Sequence, residues 1–263
     1  MDKIFFKKLM LPDAKYNLEA GSGTHGEQTG KMLAGIENVL LKEKPEAVLV
    51  QGDTNTVLAG ALAAVKLGIK VGHVEAGLRS YDRKMPEEIN RVMADHCSDI
   101  LFAPTEICKN TLLGEGIPNS RIHVTGNTIV DAVLQNLKLA KEKNTLEELD
   151  ITPGEYFLIT AHRQENVDDP MRFAGILKGV EKLSKEFNIP VIYPIHPRSK
   201  KRVEEFGIRM DGSIRFIDPV KFLDFLNLES GARLVLTDSG GVQEETCILG
   251  VPCVTLRDNT ERP

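Results

Sequence analysis

From Ala47 onward, short apolar runs alternate with longer stretches whose apolar residues recur at helical spacing. The run AVLV precedes a predicted helix over Thr54–Leu67, and VGHV precedes one over Pro86–Ser98. The runs ILFA and IHV follow, separated by a helix that begins at Thr105. Strands that alternate with helices in this way form parallel sheets with right-handed crossovers. The pattern therefore predicts an α/β/α domain.

The same alternation starts again after a long predicted helix, Asn127–Lys143, and a polar, turn-rich stretch, NTLEELDITPGEY. The second series contains the runs YFLIT, VIYPI, IRFI, LVLT and VPCVTL, with helices between them, including one over Pro170–Phe187. We place a domain boundary inside the polar stretch, which gives domains of residues 1–148 and 149–263. The predicted fold class is α/β, with two Rossmann-like α/β/α domains and the active site in the cleft between them.

The stretch Arg233–Gly250 carries the most informative pattern. Leu234–Leu236 is apolar throughout, as is typical of a strand buried on both faces, and Thr237–Gly241 holds the capping and turn residues that precede a helix. Gly240 and Gly241 let a ligand approach the backbone, and the first N–H groups of the helix have no partner within it. A helix start of this kind binds phosphate. The alternative is a capped helix with exposed acids and no ligand.

An earlier glycine-rich stretch, GSGTHGEQTGK, matches the G-x-G-x-x-G spacing at Gly21, Gly23 and Gly26. We do not interpret it as a dinucleotide site, because no good buried strand precedes it and no second strand ends in an acid at the expected distance. We predict a loop that opens a helix over Glu27–Lys42. The segment Ile4–Leu11 is predicted to be the end of an amphipathic helix.

Composition and charge narrow the classes of function. The 263 residues carry a net charge of −5, with a pI near 5.8, and no basic block is dense enough to displace counterions from a nucleic acid. Four cysteines without CxxC spacing indicate reduced core residues and no metal site. No apolar run approaches the roughly 18 residues of a membrane span, and the start lacks a signal-peptide core. We expect a cytoplasmic protein that binds neither nucleic acid nor membrane.

Charged residues cluster in the loops that follow the predicted strands. In the first domain Asp53 and Glu75 each follow an apolar run, and Glu87 begins the next helix, so three carboxylates suited to proton transfer share one edge. The second domain has phosphate-binding residue types in the equivalent loops: His162, Arg163, His196, Arg198 and Ser239. The alternative for each carboxylate is a helix cap or a solvated turn, and for His196 a core position.

Seven motifs occur in order along nearly the whole chain: QGDT, HVEAGLRS, MPEEINR, TAHRQEN, IHP, TDSGGVQEE and RDNTERP. On these residues the chain resembles the non-hydrolysing UDP-N-acetylglucosamine 2-epimerases. The resemblance implies the GT-B fold and the interconversion of UDP-GlcNAc and UDP-ManNAc for polysaccharide biosynthesis. It implies elimination of UDP to a 2-acetamidoglucal, followed by re-addition of UDP and of a proton to the other face at C2. It also implies a homodimer, with no NAD and no metal.

The resemblance assigns roles to individual residues. The acid/base candidates are the three carboxylates Asp53, Glu75 and Glu87, and His196 assists at the diphosphate. The substrate-binding candidates are Arg163, Phe225, Ser239, Gly240, Gly241, Glu245 and Arg262. Among these, the Ser239 helix start would bind phosphate, Glu245 would bind the ribose hydroxyls and Phe225 would lie near the uracil.

We expect this sequence to be an interior piece of the family's chain. Nothing before Met1 matches the family's opening strand and its Gly-Thr-Arg-Pro type loop, and the family continues past TERP with further helices. Absence of that opening strand predicts an exposed apolar edge on its neighbour. Three alternatives stay open: a nucleotide-sugar-binding fragment without turnover, a glycosyltransferase that uses a UDP-sugar, and a 2-epimerase of a related UDP-diacetamido uronic acid.

Overall fold

The structure, a computed structural model, describes residues 12–262. The predicted helix end at Ile4–Leu11 lies outside the described residues. The chain divides into two compact units, Met1–Gly126 and Asn127–Pro263. Each unit contains one parallel β-sheet with helices between its strands, as the alternating pattern predicts.

Among residues 12–126, four parallel strands lie side by side in the order in which they occur in the sequence. The strands are β1 (Ala47–Gln51), β2 (Lys70–Val74), β3 (Ile100–Ala103) and β4 (Ile122–Val124). The helices are His25–Glu43, Asn55–Lys66, Pro86–Cys97 and Glu106–Gly114, with a 3₁₀ turn at Asn119–Arg121. Within the described residues β1 lies at an edge of this sheet, and Leu49 on it is 70% exposed. An apolar side chain on β1 is thus exposed to solvent.

In the described part of the second unit, residues 127–262, five parallel strands lie in the order β7–β6–β5–β8–β9. The strands are β5 (Phe157–Thr160), β6 (Val191–Pro194), β7 (Ile214–Ile217), β8 (Leu234–Thr237) and β9 (Cys253–Thr255). The helices are Thr128–Lys141, Thr145–Glu148, Gln164–Val167, Pro170–Phe187, Pro197–Glu205, Phe222–Gly231 and Gly240–Leu249. The chain runs outward from β5 to β7 and then returns to the other side of β5. The reversal lies between β5 and β8.

This reversal determines where the second unit can bind a ligand. Strands β5 and β8 pair in parallel from Phe157 beside Leu234 to Thr160 beside Thr237. Open α/β sheets bind ligands beyond the carboxyl ends of their strands, at the point where the strand order reverses. The loops that begin at residues 161 and 238 occupy that position.

The central strands of the second sheet, β6, β5 and β8, are buried on both faces because they are apolar at successive positions. Phe157 and Ile159 pack in a cluster with the helix Pro170–Phe187, whereas Leu158 packs in a second cluster that includes Leu228. Successive side chains of a strand point to opposite faces, so the two clusters lie on opposite sides of the sheet. Val235 is also fully buried. The prediction of a doubly buried strand after residue 233 is confirmed.

The division between the units falls before the helix Thr128–Lys141, whereas the predicted boundary lies after it. The apolar side of this helix explains the difference. Val133 and Ala140 are fully buried in a cluster with Leu226 of the helix Phe222–Gly231. Because its apolar residues pack there, the helix belongs to the second unit.

Gly77 tests the close packing of the loop after β2. It has a φ of +83°, and a Cβ atom added there would lie 2.4 Å from the carbonyl oxygen of Cys108. We expect Gly77→Ala to lower the free energy of unfolding by about 3 kcal/mol or more. The added methyl group would clash with the Cys108 carbonyl oxygen, and alanine would also be strained at this positive φ. Urea denaturation followed by circular dichroism measures this loss.

Gly68→Ala is the matched control. Gly68 has a φ of +72°, but no atom lies within 4 Å of its added Cβ. Its substitution should cost only the dihedral strain, about 1 kcal/mol. Equal losses for the two variants would contradict the interpretation.

Candidate active site

Three predicted carboxylates lie at the carboxyl end of the first sheet. Asp53 follows β1, Glu75 follows β2, and Glu87 lies in the first turn of the helix Pro86–Cys97. All three residues are partly buried and partly exposed. The structure therefore brings the predicted acid/base candidates to one edge of the sheet.

Asp53 is held by an arginine that sequence analysis did not single out. Arg91 is buried, and it donates to Oδ2 of Asp53 from Nε at 3.0 Å and from Nη2 at 2.7 Å. Its Nη1 donates to the buried Glu88 at 2.7 Å. A buried guanidinium shared by two carboxylates fixes the position of both, since leaving any of the three unpaired is costly. The spacing of Glu88 and Arg91 in MPEEINR, three residues apart on a helix, was the available signal.

Glu87 and Glu88 are adjacent in sequence but differ in environment. Glu88 accepts hydrogen bonds from the backbone N–H groups of Ser80 and Tyr81, each at 2.9 Å. Burial alone would raise the pKa of Glu88, but the hydrogen bonds from Ser80, Arg91 and Tyr81 lower it below its ordinary value. The Glu87 carboxylate accepts no hydrogen bond from residues 12–262. Glu88 therefore stabilises the fold, whereas Glu87 is available to a ligand.

Glu75 has an unusual backbone conformation. Its φ is +70°, a value that residues with a side chain seldom adopt. Its Oε1 accepts a hydrogen bond from Nε2 of Gln51, at the end of the neighbouring strand, at 3.1 Å. Strained residues of this kind cluster at functional sites, because the surroundings must compensate the strain. The backbone thus supports a functional role for Glu75.

Asp238 organises the reversal point of the second sheet. It is fully buried, and it accepts hydrogen bonds from the backbone N–H groups of His162 and Arg163, each at 3.0 Å, and from the Asn166 amide at 2.9 Å. Burial alone would raise its pKa, but the hydrogen bonds from His162 and Asn166 lower it. Asp238 therefore joins the loops that follow β5 and β8.

The predicted phosphate-binding helix start has the expected geometry. Ser239 is the N-cap of the helix Gly240–Leu249, and its Oγ accepts from the N–H of Val242 at 3.5 Å. The N–H groups of Gly240 and Gly241 donate to none of the described residues. An added Cβ at Gly240 would lie 2.4 Å from Oε1 of Glu261, so the Glu261 carboxylate would have to shift to admit a side chain there. At Gly241 the nearest such atom is 3.9 Å away, which leaves this position open to a ligand.

His196 is exposed and caps the helix Pro197–Glu205. Its Nδ1 accepts a hydrogen bond from the N–H of Arg198 at 3.3 Å. In the neutral ring this bond leaves the proton on Nε2, which can then donate to an anion. The Arg198 side chain is paired with Asp168, so its charge is already partly neutralised.

The remaining predicted residues lie in separate environments within the second unit. Arg163 lies 3.7 Å from Glu165. Arg262 is largely buried and donates to Glu244 at 2.9 Å. Phe225 is partly buried against the cluster that contains Leu228. These contacts neither require nor oppose the ligand roles that the resemblance assigns.

Comparison with known proteins decides the family. The family model described as UDP-N-acetylglucosamine 2-epimerase matches residues 1–263. The chain belongs to the UDP-N-acetylglucosamine 2-epimerase family. A UDP-N-acetylglucosamine 2-epimerase of Methanocaldococcus jannaschii is 60% identical over 270 residues, an alignment that covers 100% of this chain and 74% of the relative. The predicted family and α/β fold are therefore confirmed.

Two further members of the family are informative. The crystal structure of the Methanocaldococcus jannaschii UDP-GlcNAc 2-epimerase in complex with UDP-GlcNAc and UDP matches with a TM-score of 0.90 and 61% identity, over 100% of this chain and 74% of that one. A UDP-2,3-diacetamido-2,3-dideoxy-D-glucuronate 2-epimerase of Pseudomonas aeruginosa is 44% identical, over 99% of this chain and 72% of its own length. Within residues 12–262, no helix is long and apolar enough to cross a membrane, and no group of three metal-ligating side chains converges.

This member of the 2-epimerase family also has a buried acid beside the predicted ribose contact. Glu229 is fully buried, and neither of its carboxyl oxygens has a hydrogen-bond donor among the described residues. Burial, together with the neighbouring carboxyl group of Glu245, raises the pKa of Glu229 to about 10. Burial also raises the pKa of Glu245. A buried carboxyl group beside another carboxyl group keeps its proton, so Glu229 is neutral in the folded protein at pH 7.

The pH dependence of stability tests this pair. Because the folded-state pKa of Glu229 is raised, its contribution to stability is fully present below the unfolded value and is lost as the pH rises towards about 10. Glu229→Gln removes this loss. We expect the variant to exceed the wild type in free energy of unfolding by about 2 kcal/mol at pH 8, with a smaller difference at pH 5.

Denaturation in urea at several pH values measures the difference. Glu155→Gln is the matched control, because Glu155 is exposed in the same unit and its substitution should change nothing at any pH. A pH-independent difference for Glu229→Gln would mean that Glu229 is ionised in the folded protein.

Proposed function

We propose that this chain interconverts UDP-GlcNAc and UDP-ManNAc by elimination and re-addition of UDP. The observation that carries the proposal is the placement of Asp53, Glu75 and Glu87 along one edge of the first sheet, in a chain of the UDP-N-acetylglucosamine 2-epimerase family. The Methanocaldococcus jannaschii structure, in complex with UDP-GlcNAc and UDP, supports the choice of substrate.

The second unit binds the diphosphate of the nucleotide. The N–H groups of Gly240 and Gly241, together with the positive end of the helix dipole, attract phosphate oxygens. Asp238 fixes the loop that carries His162 and Arg163 beside this helix start, so that the donors need no rearrangement when the ligand binds. The neutral His196 ring can add a donor from Nε2. When UDP leaves the sugar, these donors stabilise its developing charge.

The first unit supplies the proton transfers. The hydrogen at C2 of the sugar is not acidic, so its removal requires a carboxylate base held close to it while the leaving group departs. Inversion at C2 requires protons to be handled on both faces of the sugar, which accounts for more than one carboxylate. Among the described residues, the bonds that hold the Asp53 carboxylate all reach Oδ2, and Glu87 accepts none. Both carboxylates therefore retain oxygen atoms for substrate.

A second candidate substrate is a UDP-linked 2,3-diacetamido uronic acid. The 44% identity to the Pseudomonas aeruginosa 2-epimerase of that substrate favours its inclusion in any assay. The elimination chemistry at C2 is the same for both sugars. The homodimer and the cytoplasmic location stay predictions of the sequence.

The proton chemistry makes a direct prediction. In deuterated water without added cofactor, the chain should convert UDP-GlcNAc to UDP-ManNAc with deuterium at C2, observed by proton NMR and mass spectrometry. Asp53→Asn, Glu75→Gln and Glu87→Gln should each lower kcat by about 100-fold or more, because each removes a proton-transfer group. The dissociation constant for UDP, measured by calorimetry, should stay within about twofold of the wild type.

Glu106→Gln is the matched control, since Glu106 is an exposed acid in the first turn of another helix of the same unit. It should change neither quantity. Product formation without deuterium at C2 would exclude elimination. UDP binding without turnover in the wild type would favour the nucleotide-sugar-binding alternative.

Gly241 gives a separate test of the phosphate site. A methyl group at Gly241 meets no atom of the chain closer than 3.9 Å, so Gly241→Ala should fold normally while it occupies space beside the helix start. We expect its dissociation constant for UDP to rise by about tenfold or more, because the phosphate can no longer approach the backbone. Gly179→Ala, at an open position of the helix Pro170–Phe187, is the control and should leave UDP binding unchanged. If the two variants bind UDP with equal affinity, the phosphates do not bind at the Gly241 helix start.

A further inference from the structure

His73 is fully buried on β2 and lies between two hydrogen-bond acceptors. Its Nδ1 is 2.6 Å from Oδ1 of Asp95, and its Nε2 is 2.8 Å from the carbonyl oxygen of Gly52. The carbonyl has no proton to give. Asp95 is an ionised carboxylate, because its Oδ2 accepts from the N–H of Gly77 at 3.1 Å and lies 2.7 Å from Nη2 of Arg79.

Both ring nitrogens of His73 must therefore be donors, and the buried ring is an imidazolium. A neutral ring would place a bare nitrogen lone pair against one of the two acceptors. The charged groups around it support this state, since Asp95 and Glu75 attract the cation, whereas Arg79 is balanced by Glu115 at 2.7 Å. Burial alone lowers the pKa of His73, but its bonds to Asp95 and Gly52 raise it above its ordinary value.

The contacts of this ion pair reach both loops that carry the proposed acid/base residues. Gly52, which immediately precedes Asp53, is held on both sides: its N–H donates to Val74 at 3.1 Å and its carbonyl accepts from His73. His73 itself lies two residues before Glu75. On the other side of Glu75, the N–H of Gly77 is bound by Asp95. One buried cation and its carboxylate thus fix the backbone around both residues.

We propose that His73, as a buried imidazolium, is the positioning residue that holds Asp53 and Glu75 in the geometry required for proton transfer. The roles of Asp53 and Glu75 rest on the proposed function, whereas the protonation state of His73 does not. When the pH rises through the folded-state pKa of His73, the proton on Nδ1 stays in its hydrogen bond to Asp95. The proton on Nε2 is lost. The Gly52 carbonyl then has no donor, and the Asp53 loop loosens. Activity is therefore present below that pH and is lost above it.

Nitrogen NMR of the whole chain labelled with ¹⁵N-histidine tests the protonation state directly. We expect one buried histidine to show two protonated ring nitrogens at pH 7.5, and its signals to change in Asp95→Asn, which identifies it as His73. A His73 ring with one bare nitrogen at pH 7.5 would overturn the proposal.

The pH profile of kcat/KM tests the positioning role. Asp95→Asn keeps the shape of the side chain but removes the charge that stabilises the imidazolium, so it should move the His73 titration and the alkaline limb of the profile together, by about one pH unit or more, to lower pH. His123→Gln, at an exposed histidine on β4, is the control and should leave the profile unchanged. If Asp95→Asn shifts the His73 titration but leaves the pH profile of kcat/KM unchanged, His73 has a structural role only.

Amide hydrogen exchange gives a readout that does not require turnover. After correction for the intrinsic effect of pH, protection of Gly52–Thr54 should fall by about tenfold as His73 titrates, and protection of Thr125–Gly126 after β4 should not change. If the chain has no epimerase activity but the exchange follows His73, only the proposed function fails. If Gly52–Thr54 stays protected above the His73 titration, the positioning role fails whether or not the chain is active.

Discussion

A carboxylate buried beneath the edge of a parallel sheet must be matched by its neighbours, and each unit of this chain is organised around one such group. Asp95 in the first unit contacts His73, Arg79 and the N–H of Gly77. Asp238 in the second unit contacts His162 and Asn166 and accepts from two backbone N–H groups. An unmatched charge at either position would cost several kcal/mol. Asp238 therefore joins two loops of the second unit directly, and Asp95 joins two loops of the first unit through His73.

This matching separates the acids that stabilise the fold from those that remain for chemistry. Glu88 has its oxygens occupied by Arg91 and by the backbone of Ser80 and Tyr81, so it cannot accept from a substrate without losing those bonds. Glu87, one residue earlier, accepts no hydrogen bond from the described residues. Asp53 lies between these extremes, since Arg91 holds one of its oxygens. Fixed but incompletely satisfied acids are what preorganised proton transfer requires.

The sequence predicts those parts of the site that depend on local rules. The strand, the Ser239 cap and the glycines of the helix start follow from hydrophobic pattern and capping preference, and the structure confirms this geometry. His73 is not predictable in this way. In VGHV it is one polar residue in an apolar strand, and the residue that stabilises its charge, Asp95, lies 22 residues away along the chain. The unit division is missed for the same reason. Nothing local shows that the helix Thr128–Lys141 packs with the second unit, since its partner Leu226 lies far along the chain.

Glu229 is a buried carboxyl group that, unlike Asp95 and Asp238, is not matched by hydrogen-bond donors among the described residues. It keeps its proton beside the carboxyl group of Glu245, which avoids the cost of burying a charge at neutral pH. An apolar residue of similar size would fill the same space at lower cost at neutral pH, as replacements of buried ion pairs by apolar groups show. The acid therefore does not serve stability. Glu229 lies beside Glu245, the predicted ribose contact, so this buried acid is better explained by the ligand site than by the stability of the fold.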